Sequence, residues 1–198
     1  MKTLLTNQRQ GFTLIETFVA TIILVFAVIG PLGLMARAIN DSNYAKNQIT
    51  AFYLAQEGLE LAINQRDKNT TQDIDPNLWL DGLDECTGDG CGLDIDRNDG
   101  NINVISSCQD IETEDCRLYI ENDDGLKRYT YETSSMSEAS SFYRLLKVEP
   151  LDEFFMKARL SATIRWANKD KWRTFSLSTV ILNQDLIVGD GGGDDTEF

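Results

Sequence analysis

The feature that most constrains this chain is an uninterrupted apolar run near its N-terminus. Residues 17–36 contain no charged side chain, and a helix of that length spans about 30 Å, the thickness of a bilayer core. Lys2 and Arg9 precede the run. Because basic flanks stay on the cytoplasmic side, we expect residues 1–11 inside and the rest outside the cytoplasm. The sequence therefore predicts a single-pass protein of the cytoplasmic (inner) membrane.

Three interpretations of this N-terminus compete. A plain signal anchor explains the length of the run and its basic flank. A cleaved secretory signal is favoured by the small-x-small sequence at 36–38, although the run exceeds the roughly 7–15 apolar residues of such signals. Neither interpretation explains Glu16, because a carboxylate within an apolar run is costly unless it has a partner.

The third interpretation explains the carboxylate. Residues 11–16 read Gly-Phe-Thr-Leu-Ile-Glu and lead into the apolar run, which resembles the N-terminal signal of type IV prepilins and type II secretion pseudopilins. The resemblance implies cleavage between Gly11 and Phe12 by prepilin peptidase, N-methylation of the new Phe12 amine, and pairing of Glu16 with the N-terminal ammonium of a neighbouring subunit. Two buried charges are tolerable when each neutralises the other.

The same resemblance implies a set of partners and a destination. The partners are other pilin subunits in a helical filament, the prepilin peptidase/N-methyltransferase, an inner-membrane assembly platform and membrane lipid. The destination is an extracytoplasmic filament or the cell surface. Within the apolar run, Gly30, Pro31 and Gly33 are potential helix breakers. They are either an ordinary transmembrane proline and its neighbours or a place where the helix bends or unwinds in the filament.

Beyond the membrane run the sequence predicts one continuous helix over 12–66, with 12–36 as its transmembrane part and filament core. Apolar residues recur every three or four positions: Ala45, Ile49, Phe52, Ala55, Leu59, Ala62 and Ile63. The opposite face is polar and carries Asn43, Lys46, Asn47, Glu57, Glu60 and Gln65. Residues 51–60 also resemble the same region of minor pilins and pilus-modification proteins. We expect the second half of this helix to pack on a globular head, 67–183.

The first part of the head, 67–125, is predicted to be irregular because Asp, Asn and Gly dominate it. All four cysteines lie there: Cys86, Cys91, Cys108 and Cys116. Zinc is disfavoured because the spacing lacks close cysteine pairs and the chain has no His. We expect two disulfides; of the three possible pairings, Cys86–Cys91 with Cys108–Cys116 closes the shortest loops at least entropic cost.

An acidic turn in this region raises the question of calcium. Asp94, Asp96, Asn98 and Asp99 precede Gly100 and resemble the start of a calcium-binding loop. The loop has one residue too many before the glycine and no Glu at its twelfth position. A solvated acidic turn is the alternative, and no cofactor is required by anything in the sequence.

Residues 117–183 are predicted to form an antiparallel sheet. Runs at 117–121, 126–132, 142–148, 155–166 and 172–182 are rich in β-branched and aromatic residues. The last two alternate as a hairpin whose apolar face should cover the helix, and they resemble the C-terminal strands of minor pilins. The predicted fold class is therefore α+β, the pilin fold with a disulfide-stapled acidic loop region. The tail 184–198 is acidic and Gly-rich, and its composition predicts disorder.

The composition argues against an enzyme and against nucleic-acid binding. The chain has no His, the usual acid–base residue, and no nucleophile-elbow, P-loop or dinucleotide motif. A net charge of −14 repels phosphate backbones. We expect a filament subunit, a minor pilin or pseudopilin rather than the main structural subunit. The alternative is a membrane-anchored extracytoplasmic binding module, such as an adhesin or lectin-like head. The sequence leaves pilus, secretion pseudopilus and DNA-uptake fibre equally open.

Overall fold

The computed structural model describes residues 11, 13–71, 78–96, 99–123, 125–152, 156–168 and 171–183. The predicted leader (apart from Gly11), Phe12 and the acidic tail 184–198 lie outside the described residues. The chain divides into two compact units, Met1–Ala45 and Lys46–Phe198. The helix α1 (Leu14–Thr71) begins in the first unit and ends in the second.

The first unit consists, as far as it is described, of the exposed N-terminal part of α1. Over residues 17–36 its exposed side chains are mostly apolar, with Phe26 73% exposed and none of the most apolar stretch buried. Among the described residues, α1 is the one helix long and apolar enough to cross a membrane. An apolar helix without packing partners among the described residues fits a lipid or protein environment, which agrees with the predicted single-pass anchor.

The end of α1 lies beyond the predicted Arg66, at Thr71. Two polar side chains in its last turns point inward and bind the head. Arg66 donates to the Leu182 carbonyl at 3.1 Å, and Asn69 donates to the carbonyls of Trp79 and Asp81 at 3.2 and 2.8 Å. The apolar pattern ends before these residues, so the sequence argument ended the helix too early.

The buried face of α1 is also rotated from the predicted stripe. Ala55, Leu59 and Ala62 are buried as expected, but Ile49 and Phe52 are 57% and 42% exposed. The inward face instead contains small residues and leucines: Ala51, Leu54, Ala55, Gly58, Leu59, Leu61 and Ala62. Gly58 explains the rotation, because a β-carbon there would lie 3.3 Å from side-chain atoms of Arg144 and Leu146. The sheet comes close to α1 where the side chains of the helix are smallest.

The main sheet has five antiparallel strands in the order β4-β3-β5-β6-β7. Its strands are β3 (Arg117–Asp123), β4 (Leu126–Thr130), β5 (Ser137–Pro150), β6 (Lys157–Asn168) and β7 (Lys171–Leu182). Each overlaps one predicted strand. On β6 the alternation is clear: Leu160, Ala162, Ile164 and Trp166 are buried. Phe175 on β7 meets Phe52 of α1, with ring centroids 6.1 Å apart.

The acidic region is less irregular than predicted. It contains β1 (Gly92–Ile95) and β2 (Ile102–Ile105), which pair antiparallel with Gly92 opposite Ile105. The prediction of irregular structure over the whole of 67–125 was therefore wrong. Acidic and glycine residues dominate the composition, yet the two strands contain five apolar residues between them, and the Cys86–Cys91 disulfide closes the loop just before β1.

The architecture as a whole is α+β, as predicted. A long N-terminal apolar helix precedes an antiparallel sheet, the second half of that helix packs on the sheet, and two disulfides staple the acidic region. This arrangement resembles that of a pilin.

Candidate assembly segment and the polar network under the helix

The segment that carries the prepilin-like motif starts with an exposed residue and a capped helix. Gly11 is exposed, and Phe12 lies outside the described residues. The Glu16 N–H lies 3.3 Å from the Thr13 hydroxyl and 3.1 Å from the Thr13 carbonyl. Thr13 and Glu16 therefore have the spacing of a capping box, in which a threonine starts a helix and a glutamate follows three residues later. Sequence reasoning missed this helix start, although the Thr-x-x-Glu spacing indicates it.

The three potential helix breakers lie within an uninterrupted α1. Pro31 is inside the helix, and a β-carbon added at Gly30 or Gly33 would meet nothing within 4 Å. The helix of the isolated chain thus tolerates the proline. The hypothesis that this stretch unwinds concerns the assembled filament, where neighbouring helices would surround it.

The predicted disulfides both form, Cys86–Cys91 and Cys108–Cys116. The first closes a tight loop that extends the main sheet. Cys91 exchanges two backbone hydrogen bonds with Leu146 of β5, each 2.8 Å. Thr87 forms a further bridge to Val148. One side of β5 pairs with β6, and the other side pairs with β3 only as far as Tyr143. The Cys86–Cys91 loop pairs with the part of this second side that β3 does not reach.

Gly90 makes this close approach possible. Its φ is +109°, and a β-carbon would lie 2.7 Å from the Leu146 carbonyl oxygen. We expect Gly90→Ala to lower the free energy of unfolding by about 2 kcal/mol or more, because the cost of a positive φ is added to the cost of the clash with the Leu146 carbonyl. Gly88→Ala is the matched control: φ is +76° but nothing lies within 4 Å, so the expected loss is about 1–2 kcal/mol. Urea denaturation of both variants checks this order, and an equal loss would contradict it.

The second disulfide segment lies on the outer face of the sheet, away from α1. Glu112 pairs with Arg165 of β6 at 3.1 Å. Glu114 pairs with Arg117 at 2.9 Å and accepts a hydrogen bond from the Tyr143 hydroxyl at 3.0 Å. These two hydrogen bonds lower the pKa of Glu114. The Cys108–Cys116 loop is therefore held to β6 and β3 by ion pairs and to β5 by a hydrogen bond.

The inner face of the sheet contains the most buried charge of the described head. Arg144 of β5 is fully buried and binds two other elements, α1 and β1. Its guanidinium donates to the carbonyl of Leu93 on β1 at 2.8 Å and to that of Leu54 on α1 at 3.4 Å. It also lies 3.4 Å from a Glu57 carboxylate oxygen. Arg144 thereby connects α1, β1 and β5 at one point.

Tyr131 and Asp94 extend this network. The Tyr131 hydroxyl donates to the Arg144 carbonyl at 2.6 Å, and the Arg144 guanidinium lies over its ring. Asp94 accepts hydrogen bonds from the Thr130 hydroxyl at 2.5 Å and the Tyr131 N–H at 2.8 Å. Burial raises the pKa of Glu57, against the opposing attraction of Arg144. Burial alone would lower the pKa of Arg144, but Tyr131 and Glu57 outweigh it and the pKa is raised.

The calcium hypothesis finds no geometric support among the described residues. They contain no group of three or more His, Cys, Asp or Glu side chains that could hold a metal ion. Asp94 is buried and used by the network, and Asp99 accepts hydrogen bonds from Asn101. The Asp96 carbonyl accepts from the Gly100 N–H at 3.0 Å, which closes a turn. Asn98 lies outside the described residues.

Comparison with known proteins gives no family assignment: no family model, no curated protein and no solved structure matches the chain. The functional argument therefore depends on the residues themselves. Among them, sequence reasoning missed Arg144 and Glu57. Arg144 stands at an inward position of β5 between Phe142 and Leu146, and a cation at that place in an alternating strand signals a buried partner.

Proposed function

We propose that this chain is a structural subunit of a filament of the type IV pilus or type II secretion pseudopilus kind. It is cut between Gly11 and Phe12 by prepilin peptidase, N-methylated at Phe12, and assembled through its N-terminal helix. Its partners are other pilin subunits, the peptidase and an inner-membrane assembly platform. The head stays outside the cytoplasm and decorates the fibre as a minor subunit.

One observation carries this proposal. The Gly-Phe-Thr-Leu-Ile-Glu sequence at 11–16 leads directly into an apolar helix whose side chains have no packing partner in the described chain. A helix of this kind needs lipid before assembly and other helices after it. The carboxylate of Glu16 then needs a cation in the assembled state, and a new N-terminal amine at Phe12 supplies one.

The head holds the second half of α1 at several points. Arg66 and Asn69 bind it from the last turns of the helix. Arg144 of the head binds the Leu54 carbonyl and faces Glu57. A filament subunit and an anchored binding module both need such contacts, so the choice between the two depends on Glu16, which a simple anchor has no use for.

Processing is the first testable consequence. We expect the mature chain extracted from membranes to begin at Phe12, with one added methyl group on its amine. Intact-mass measurement of the extracted protein determines both features. Retention of the first 11 residues would indicate a plain anchor, and a chain beginning at Ile39 would indicate a secretory signal; either result contradicts the proposal.

A further inference from the structure

Among the described strands, β7 forms one edge of the main sheet, and most of its length lacks the protection that edge strands usually carry. It is 12 residues long and pairs with β6 over its whole length without a bulge. After Lys171 and Arg173, residues 174–182 contain no charge, proline or glycine. The opposite edge, β4, has five residues and contains Lys127 and Arg128. Natural sheets protect edges by shortness, charge, proline or a covering segment. Over 174–182 the first three are missing, which leaves a covering segment as the remaining form of protection.

The sequence directly after β7 matches its end in reverse order. β7 ends in Val180-Ile181-Leu182, and after three residues the chain continues with Leu-Ile-Val at 186–188. Two strands separated by three residues that include Asn or Asp are a hairpin pattern. A fold-back at 183–185 would place Val188 opposite Val180, Ile187 opposite Ile181 and Leu186 opposite Leu182.

The faces of the sheet agree with this register. Val180 and Leu182 point outward and are 52% and 37% exposed, whereas Ile181 points inward and is buried. Because side chains alternate along a strand, such a fold-back would cover the two exposed residues with Val188 and Leu186. It would also direct Ile187 towards the apolar inner face, so that all three pairs would join apolar side chains.

Charge supports the same direction of pairing. The hairpin of β6 and β7, 157–183, contains six basic residues and one acidic residue, and 184–198 contains five acidic residues and no basic one. In the register above, Asp195 would fall opposite Arg173 and Glu197 opposite Lys171. Cross-strand pairs of opposite charge stabilise a sheet, and like pairs destabilise it.

We propose that the β7 edge is the docking surface of the chain's own C-terminal segment, 184–198, which pairs with it in cis as a sixth strand centred on residues 186–188. The docked segment covers the backbone edge and prevents one head from pairing with another through β7. Contacts between heads are then directed to other surfaces. The inference stands apart from the filament proposal, since it concerns the sheet of the head alone.

Paired cysteines test this docking in the full-length protein extracted from membranes. All four native cysteines are in disulfides, so two introduced thiols report only on each other. We expect Val180→Cys with Val188→Cys to form a third intramolecular disulfide in most molecules. Opposed residues on one face of an antiparallel pair have β-carbons about 4.5–5.5 Å apart. Intact mass after alkylation without reduction counts the remaining thiols.

The matched control is Val180→Cys with Ile187→Cys, which is one residue out of register and points to the other face. We expect both of its thiols to remain open to alkylation. Equal oxidation of the two pairs, or of neither, overturns the proposal. A covalent dimer of the Val180/Val188 variant also overturns it, because the segment would then come from a second copy. The single Val180→Cys variant, with one alkylatable thiol and the wild-type melting temperature, establishes that the exposed position tolerates cysteine.

Discussion

Glu16→Leu is expected to remove the chain from filaments while leaving it in the membrane. The carboxylate is proposed to neutralise the Phe12 amine of a neighbouring subunit among apolar helices. Loss of one partner leaves the other buried and unpaired, at a cost of several kcal/mol. Since about 1.4 kcal/mol is a factor of ten in an equilibrium constant, recovery in sheared filaments should fall at least about tenfold. Insertion should be unchanged or improved, because the apolar run loses its charge.

Because Glu16 also lies in the first turn of the helix that Thr13 starts, a control must separate the effect of its charge from an effect on the helix start. Glutamine also serves at this capping-box position, so Glu16→Gln keeps the cap and removes the charge. We expect Glu16→Gln to fail as Glu16→Leu does, Glu16→Asp to be intermediate because its arm is shorter, and Thr13→Val to assemble normally. Cleavage after Gly11 should persist in all of them. Normal recovery of Glu16→Gln in sheared filaments would show that Glu16 acts only as a cap.

Arg144→Met is expected to cause the largest loss of stability in the head. The substitution keeps the apolar stem and removes the cation that binds the Leu54 and Leu93 carbonyls and faces Glu57. Breaking a buried charge network from one side costs about 3–5 kcal/mol. Urea denaturation of the full chain in detergent measures this loss through the fluorescence of Trp79 and Trp166, each 2% exposed.

Two further variants separate charge from packing. Arg159→Met is the matched control, because Arg159 is an exposed residue of β6 whose guanidinium lies 3.5 Å from the carboxylate of Glu149, which is exposed as well; its expected cost is below about 1 kcal/mol. Adding Glu57→Met to Arg144→Met should recover part of the loss. Replacing both partners of an ion pair with apolar residues costs less than replacing one, because no charge is left without its partner. A loss for Arg144→Met no greater than for Arg159→Met would contradict the role assigned to the network.

The regular parts of this structure could be predicted from the sequence because their signals are local. The apolar run, the alternation on β6 and the short spacing within each cysteine pair each lie within about 20 residues. The anchor, the main sheet and both disulfides follow from them. The prepilin-like motif is equally local, but what it predicts is an assembly between chains, and the fold of one chain leaves that as a proposal.

The parts that were missed depend on contacts between distant segments. The buried face of α1 is set by where β5 approaches Gly58, which no periodicity within the helix reveals. Glu57 looked like a solvated residue because its partner, Arg144, comes 87 positions later. β1 and β2 were not predicted because the acidic composition of their region is untypical of strands. The hydrogen bonds between Cys91 and Leu146 join this region to β5 and supply the support that its local sequence lacks.

The most direct test of the central claim is the recovery of the chain in filaments. Sheared surface filaments are collected from cells with an active prepilin peptidase and from matched cells in which the peptidase is inactive, and the N-terminus of the recovered chain is determined. The proposal predicts a chain beginning at Phe12 in the filaments of the first cells and none in those of the second. A chain that stays uncut in the membrane fraction of both, with none in the filaments, would contradict the claim that it is a filament subunit.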